Sequence, residues 1–360
     1  MESTDSMSHL SVSNRNIAHP VTPTNQSNSY TEAIQSQTVL EVAFSIIAGS
    51  AFVFNLMFCV VLLKKPAMMK KPYNTLLFNL AITDLLAGIF LVATPGYVTE
   101  KPLFPVPTGF VGHMFCALFA NRYLLFTMAK VNILLVTCLA MERWYCVMRP
   151  IKYKTQFGRK RRILYILVSW IASCALQVHK IFEKKLIGNE CVTVDAPYRE
   201  KSSQAVIAIY SFCSFIVPCL VTWITFINIK YRMSSAMETQ KSERRKTQQK
   251  MVLRLCALTA AVFTLSWFPA QVSYTLSSFG ITDVTSTLHK TWNVIAFLNL
   301  CVNPLMYWYF HKEYRNEFIK LFCSCKIPRL ITPSATNTVA HNITVNHTVK
   351  PRPPQADTCL

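Results

Sequence analysis

The sequence predicts an all-α membrane protein, a bundle of seven transmembrane helices with a short amphipathic helix after the seventh. Three observations predict it. Charged residues make up only 15% of the 360 residues while hydrophobic ones reach 52%, against about 25% charged in a soluble domain. Seven apolar stretches, at about 39 to 63, 74 to 98, 112 to 146, 161 to 182, 203 to 231, 247 to 279 and 287 to 309, follow one another. Basic residues crowd into alternate gaps between them: Lys64 to Lys71, Arg149 to Arg162, Lys230 to Lys250 and Lys312 to Arg329 hold 23 of the 37, and the other gaps hold seven.

Each stretch has the length to cross a bilayer, because about 20 helical residues span a hydrocarbon core of roughly 30 Å. Backbone polar groups in lipid must be bonded within the segment, which makes each stretch a helix. The basic gaps face the cytoplasm by the positive-inside bias, so the amino terminus is expected outside and the carboxyl terminus inside. The same placement accounts for the net charge of +20 without nucleic acid, which is excluded as a partner in favour of the lipid bilayer.

Residues 1–38 are rich in Ser, Thr and Asn and read as a disordered extracellular tail, with Asn25-Gln26-Ser27 as a glycosylation acceptor. No apolar core near the start marks a cleavable signal, so the first span is expected to direct its own insertion. The seven-span domain covers 39–326. Prolines at Pro95, Pro218, Pro269 and Pro304 fall within spans and are expected to kink them. A surface helix is expected at about 311–322, with palmitoylation candidates Cys323 and Cys325 behind it. Residues 327–360 read as a disordered cytoplasmic tail.

Among 13 cysteines, two stand where an oxidising exterior favours a disulfide: Cys116 at the outer end of the third span and Cys191 in the loop of about 183–202. Two unpaired thiols are the alternative. Asp84 lies 13 residues from Lys71, about 20 Å along a helix, so its carboxyl sits near mid-membrane and needs partners; Asn55, Asn132, Asn299 and Asn303 are the candidates. Lys130 is equally deep, 13 residues from Arg143, and a lysine facing lipid there costs roughly 2.5–3.5 kcal/mol. It is therefore expected to face the bundle, where Arg122, eight residues earlier, borders the same cavity, with His179 and Lys180 adding to a basic rim. Either an anionic ligand group meets Lys130 or it is neutralised internally.

Over roughly residues 40 to 325 the chain resembles the rhodopsin-like G-protein-coupled receptors. The resemblance rests on Asn55; Asn79-Leu80-Ala81-Ile82-Thr83-Asp84; Glu142-Arg143-Trp144; Trp170; Pro218; Ser266-Trp267-Phe268-Pro269; and Asn303-Pro304-Leu305-Met306-Tyr307, one set in each successive span. It implies coupling to a heterotrimeric G protein and then to arrestin, with Arg143 restrained by Glu142 at rest. Trp267 above Pro269, and Tyr307 beside Pro304, would be the moving parts. It also implies a sodium ion as an allosteric cofactor at Asp84, with a hydrogen-bonded knot of the same residues as the alternative; no other cofactor or metal is expected.

Departures from the family pattern matter too. Trp144 replaces the usual tyrosine, Asn132 a serine, Phe226 a tyrosine, and Gln249 the acid that in relatives restrains the arginine. Two extra residues between Cys116 and Arg143 predict an irregular outer turn. At the depth where an opsin carries its lysine this chain has Phe297, and where amine receptors carry an aspartate it has Leu125. Retinal and amines are thereby disfavoured, and a peptide or small anionic ligand is favoured, with Trp267, Leu125 and Phe297 as further pocket candidates. A transporter, a channel or an intramembrane enzyme is the alternative, but neither internal repeats nor a nucleophile and base pair stand out, so catalysis is not expected.

Overall fold

The computed structural model describes residues 23–194, 200–238, 243–310 and 312–322. The chain divides into two compact units, residues 1–39 and 40–360. In the first, helix is present from Pro23, so residues 23–38, expected as a disordered tail, are helical. Pro23 stands at the first helical position, where its missing N–H leaves no bond unmade. Asn25 falls on this helix; its side chain lies outside the described residues.

The helices of the second unit follow the expected order. The first span is the helix ending at Lys64, the second is Pro72–Ala93, and the third is Tyr123–Met148. The fourth, Arg159–Gln177, tightens into a 3-10 turn at Val178–Phe182. The fifth combines Glu200–Ser211, a π-helical turn Phe212–Ile216 and Val217–Glu238. The sixth is Glu243–Ser277 and the seventh Thr287–Phe310. A final helix, Lys312–Phe322, follows. The loop after the fourth span holds the one departure from all-helical structure among the described residues, a hairpin of β1 (Lys184–Ile187) and β2 (Glu190–Thr193) paired antiparallel with Leu186 opposite Cys191.

Among the described residues, six helices are long and apolar enough to cross a membrane. The seventh is diluted by Asn293, Asn299, Asn303 and Pro304, all of which are buried. The fourth span shows burial running inside-out. On the fourth span Ser169, Ser173 and Gln177 point inward, while Ile163, Leu164, Leu167, Val168 and Ile171 stand exposed. Such a continuous apolar exterior needs lipid around it.

The third span is the axis of the bundle, packing against the second, fourth, fifth and sixth. Of its apolar stretch 78% is buried, against 17% for the fourth span. Small residues let the first and second spans close: a side chain at Gly88 would meet the Ala48 carbonyl at 3.1 Å and Ala51 Cβ at 3.2 Å.

Prolines act as their positions dictate. Pro269 and Pro304 lie inside helices. Pro304 frees the carbonyl four residues back, that of Leu300, and Asn55 Nδ2 donates to it at 2.9 Å. Pro218 is the second residue of the helix that follows the π-helical turn. Pro95 corrects the expectation: the second span ends at Ala93, so this proline sits beyond the helix instead of kinking it. The residue before a proline is pushed to extended backbone, and Thr94 is extended at ψ 119.

Candidate functional site

The third span opens irregularly. Gly109–Phe115 is helical, Cys116–Ala120 is a π-helical turn, and Arg122 takes a left-handed conformation at φ 61 before regular helix resumes at Tyr123. The two extra residues between Cys116 and Arg143 are absorbed here. A left-handed non-glycine residue costs of order 1–3 kcal/mol and persists only where surroundings hold it. Cys116 is bonded to Cys191, which ties β2 to this turn, and Gly112 is required beneath the hairpin, since any Cβ there would fall 2.1 Å from the Pro107 carbonyl.

Below the hairpin lies a cavity of about 240 Å³ whose lining includes Arg122, Phe126, Lys130, Lys180, Trp267 and Gln271. Lys130 is 3% exposed. Its Nζ donates to Gln271 Oε1 at 2.9 Å and lies 5.1 Å from the centre of the Tyr210 ring. Gln271 in turn donates to Ser211 Oγ at 3.0 Å, and Ser211 shares a hydrogen bond of 2.8 Å with Thr275. This chain joins the third, fifth and sixth spans through neutral groups. Lys180 differs: both Glu183 oxygens accept from its Nζ at 3.0 Å.

Three sequence candidates stand outside the lining. Leu125 is buried in the apolar core, and Phe126 takes its place. Five residues before Lys130, Leu125 is turned about 140° away from it, whereas Phe126 is four before and shares its face. Phe297 lies one layer deeper, edge-on beneath Trp267 with centroids 5.5 Å apart. His179 turns back, its Nδ1 3.1 Å from the Leu176 carbonyl and its ring against Tyr210 at 4.8 Å.

The mouth is strongly positive. Arg122 sits over the Tyr97 ring at 5.2 Å, and Lys184 donates to the Ala120 carbonyl at 3.0 Å. The stem of Lys101 lies against Gly96, which holds φ 86 and has room for no Cβ beyond 3.2 Å from Lys101. Burial, then the positive charges of Arg122 and Lys101, push the Lys184 ammonium down to about 8. Burial followed by Arg122 and Lys290 lowers Lys101 as well.

In mid-bundle, Asp84 is fully buried and accepts from Asn132 Nδ2 and from Asn303 Nδ2, the latter at 2.9 Å. The amide oxygens of Asn55, Asn132 and Asn303, and both amide atoms of Asn299, are buried without a protein partner. Of the four asparagines, Asn132 and Asn303 reach Asp84 while Asn55 bonds the Ala51 and Leu300 carbonyls; the carboxylate with the free amide oxygens of Asn132 and Asn303 is a donor set that fits a hydrated hard cation.

At the far end of the third span, Arg143 pairs with Glu142 through Nε and Nη2. A third member carries no motif: Tyr153, on the short helix Pro150–Gln156, donates its hydroxyl to Glu142, and Tyr73 offers its ring face to the guanidinium at 4.8 Å. Trp144 packs edge-on against Tyr145. Tyr307 is buried on Phe58 at 4.9 Å, in one cluster with Phe226. Gln249 lies on the sixth span, with its side chain outside the described residues, as Cys323 and Cys325 are entirely. Gln271, Tyr210 and Lys184 were also missed; Gln271 was findable as the residue one helical turn after Trp267.

A bundle with a cavity at one end, a buried carboxylate at mid-depth and a held arginine at the other defines a membrane receptor. The chain matches the family described as 7 transmembrane receptor (rhodopsin family) over residues 54–307, and it belongs to that family. It is a multi-pass G-protein-coupled receptor of the plasma membrane. Among curated relatives, the somatostatin receptor type 4 of Rattus norvegicus is 25% identical over 263 residues, covering 71% of this chain and 66% of that receptor. The type-1 angiotensin II receptor of Meleagris gallopavo is 25% identical over 309 residues, 80% of each chain. The allatostatin-A receptor of Bombyx mori is 24% identical over 300 residues, 79% of this chain and 80% of that one.

Proposed function

We propose that this receptor is switched by an extracellular peptide carrying a negative group, which enters the cavity at the disulfide end and meets Lys130. The observation that carries the reading is a deeply buried ammonium whose hydrogen-bond partner is the neutral amide of Gln271. A buried charge without a counter-ion costs several kcal/mol, so a ligand carboxylate that supplies the missing charge binds with that cost relieved. The relatives named for somatostatin, angiotensin II and allatostatin-A support a peptide.

Lys130, Gln271 and Trp267 line one cavity, and the Trp267 ring touches Phe126, Phe263 and Phe297. A ligand that draws Lys130 from Gln271 loosens the third span from the sixth two residues past Pro269, where the helix is weakest. Outward motion of the sixth span then frees Arg143 from Glu142 to meet a heterotrimeric G protein. The ligand shifts this equilibrium only by its preference for the open state.

In this reading the amino terminus is outside and the carboxyl terminus inside, Lys312–Phe322 lies along the inner leaflet, and Asp84 with its asparagines holds sodium in the resting state. Glycosylation at Asn25, palmitoylation at Cys323 and Cys325, and arrestin recruitment by the phosphorylated carboxyl-terminal tail complete it. No bond chemistry is assigned to the chain.

The test begins with a peptide library screened by nucleotide exchange on purified G proteins. For an acidic agonist so found, Lys130→Ala and Lys130→Gln are expected to lower potency at least tenfold at matched surface expression, the equivalent of about 1.4 kcal/mol. Undiminished potency rejects the site. Epitope tags on both ends test the topology, and finding them on one side of the membrane rejects the receptor orientation.

A further inference from the structure

The lining of the cavity holds five cations, Lys101, Arg122, Lys130, Lys180 and Lys184, and one carboxylate among the described residues, Glu183. Glu183 is already engaged with Lys180. A single negative group on Lys130 therefore leaves the mouth unbalanced. Three further observations show that the mouth is built. Arg122 is held in the one left-handed non-glycine conformation among the described residues. Arg122, Lys184 and Lys101 are positioned by neutral groups, the Tyr97 ring, the Ala120 carbonyl and the bare backbone of Gly96. Beside them the Nδ2 of Asn121, 5% exposed and part of the lining, has no partner.

We infer that the mouth is a second anion subsite, so that the receptor selects a peptide with two negative groups: a free carboxyl end on Lys130 and an acidic side chain on Arg122 and Lys184. This rests on the reading of Lys130 proposed above. Arg122 precedes Lys130 by eight residues, about 12 Å of helix rise. An extended peptide covers about 3.3 Å per residue, which places the acidic side chain three or four residues before the carboxyl end. Lys130 takes the terminus because only the leading end of a chain reaches the floor of a closed cavity, while the mouth admits a side chain from a chain passing through it.

The probes are acetyl-Glu-(Gly)n-Phe peptides with one to four glycines, each as free acid, as amide, and with Gln in place of Glu, assayed by thermal stabilisation of the purified full-length receptor in nanodiscs. Two or three glycines are expected to bind best. Amidation and the Glu-to-Gln change are each expected to weaken binding about tenfold or more, as loss of a charge-assisted hydrogen bond does. In Lys130→Gln the amide and the acid should bind alike while the Glu-to-Gln difference remains. In Arg122→Gln the reverse should hold, so each variant carries its own evidence of folding.

Loss of both responses in either variant, no dependence on spacing, absence of binding by any probe, or inorganic pyrophosphate binding as tightly as the best peptide overturns the two-point site. The coupling reading fails separately: a probe that binds with the expected pattern yet leaves G-protein nucleotide exchange unchanged sinks that reading alone.

Discussion

The two ends of the third span bury a cation each and treat it oppositely. Arg143 is 4% exposed and meets a carboxylate, Glu142, that is itself wholly buried and accepts a further hydrogen bond from Tyr153. Lys130 is 3% exposed and meets an amide. Desolvation costs are similar for the two ions, but only the first is offset inside the protein. The contrast teaches where the fold is closed and where it is open. The Arg143 end is complete in itself, whereas Lys130 at the disulfide end has a neutral partner; in the proposed reading the first contact is broken and the second is completed by a ligand when the receptor acts.

The largest effect comes from making the closed end resemble the open one. Glu142→Gln leaves Arg143 buried beside a neutral amide, and breaking a buried pair in this way costs about 3–5 kcal/mol. A fall in melting temperature and a rise in ligand-independent nucleotide exchange are expected. Were Glu142→Gln as stable and as quiet as the native receptor, the two ends would not differ as described.

Tyr153→Phe removes one hydrogen bond to the same carboxylate and should cost about 1.5–3 kcal/mol, with a smaller rise in basal exchange. This variant sharpens the comparison, because the acid that restrains the arginine in relatives is replaced here by Gln249. A hydroxyl from the loop after the third span is then expected to hold part of the resting state, and basal activity indifferent to Tyr153 would show that it does not.

The converse change closes the open end. Gln271→Glu brings a carboxylate to the position from which Lys130 now takes a 2.9 Å bond. The resting receptor should gain thermal stability, and an anionic agonist should lose about tenfold in potency, near 1.4 kcal/mol, because it must compete with an internal partner. Higher potency for such an agonist would reverse the assignment of Lys130.

Which features the sequence disclosed follows from the range of the forces involved. Lipid imposes its demand on every residue of a span, so the helices were legible from composition, and a charge at depth was legible as an inward-facing one. Asp84 with Asn132 and Asn303 belongs to this class, while Cys116 with Cys191 was legible from the oxidising exterior. Leu125 was misplaced because it was chosen by the family resemblance, whereas the 100° steps of the regular helix that also carries Lys130 turn it away and bring Phe126 to the cavity. Tyr153 and Gln271 were invisible for another reason. They are neutral, and they matter only because chain segments 11 and 141 residues away fold against them. Residues 23–38 were misjudged because a polar, Ser- and Asn-rich composition does not distinguish a solvated helix from a solvated coil.

The smallest effect is also the most specific to the open end. Burial and the neighbouring charges of Arg122 and Lys101 bring Lys184 down to about 8, within reach of an ordinary titration. Raising the pH from 7 to 9 strips its proton and takes one positive charge from the mouth. A bound anion favours the protonated form, so binding takes up protons as the pH passes 8, and the logarithm of affinity should fall with a slope approaching −1 at most. A several-fold loss for a doubly negative peptide is expected, and little for its Glu-to-Gln counterpart, which has no group at the mouth. Lys184→Arg stays charged throughout this range and should flatten the profile. Equal pH profiles for the native receptor and Lys184→Arg would assign the titration elsewhere and remove Lys184 from the set of groups that the open end leaves unbalanced.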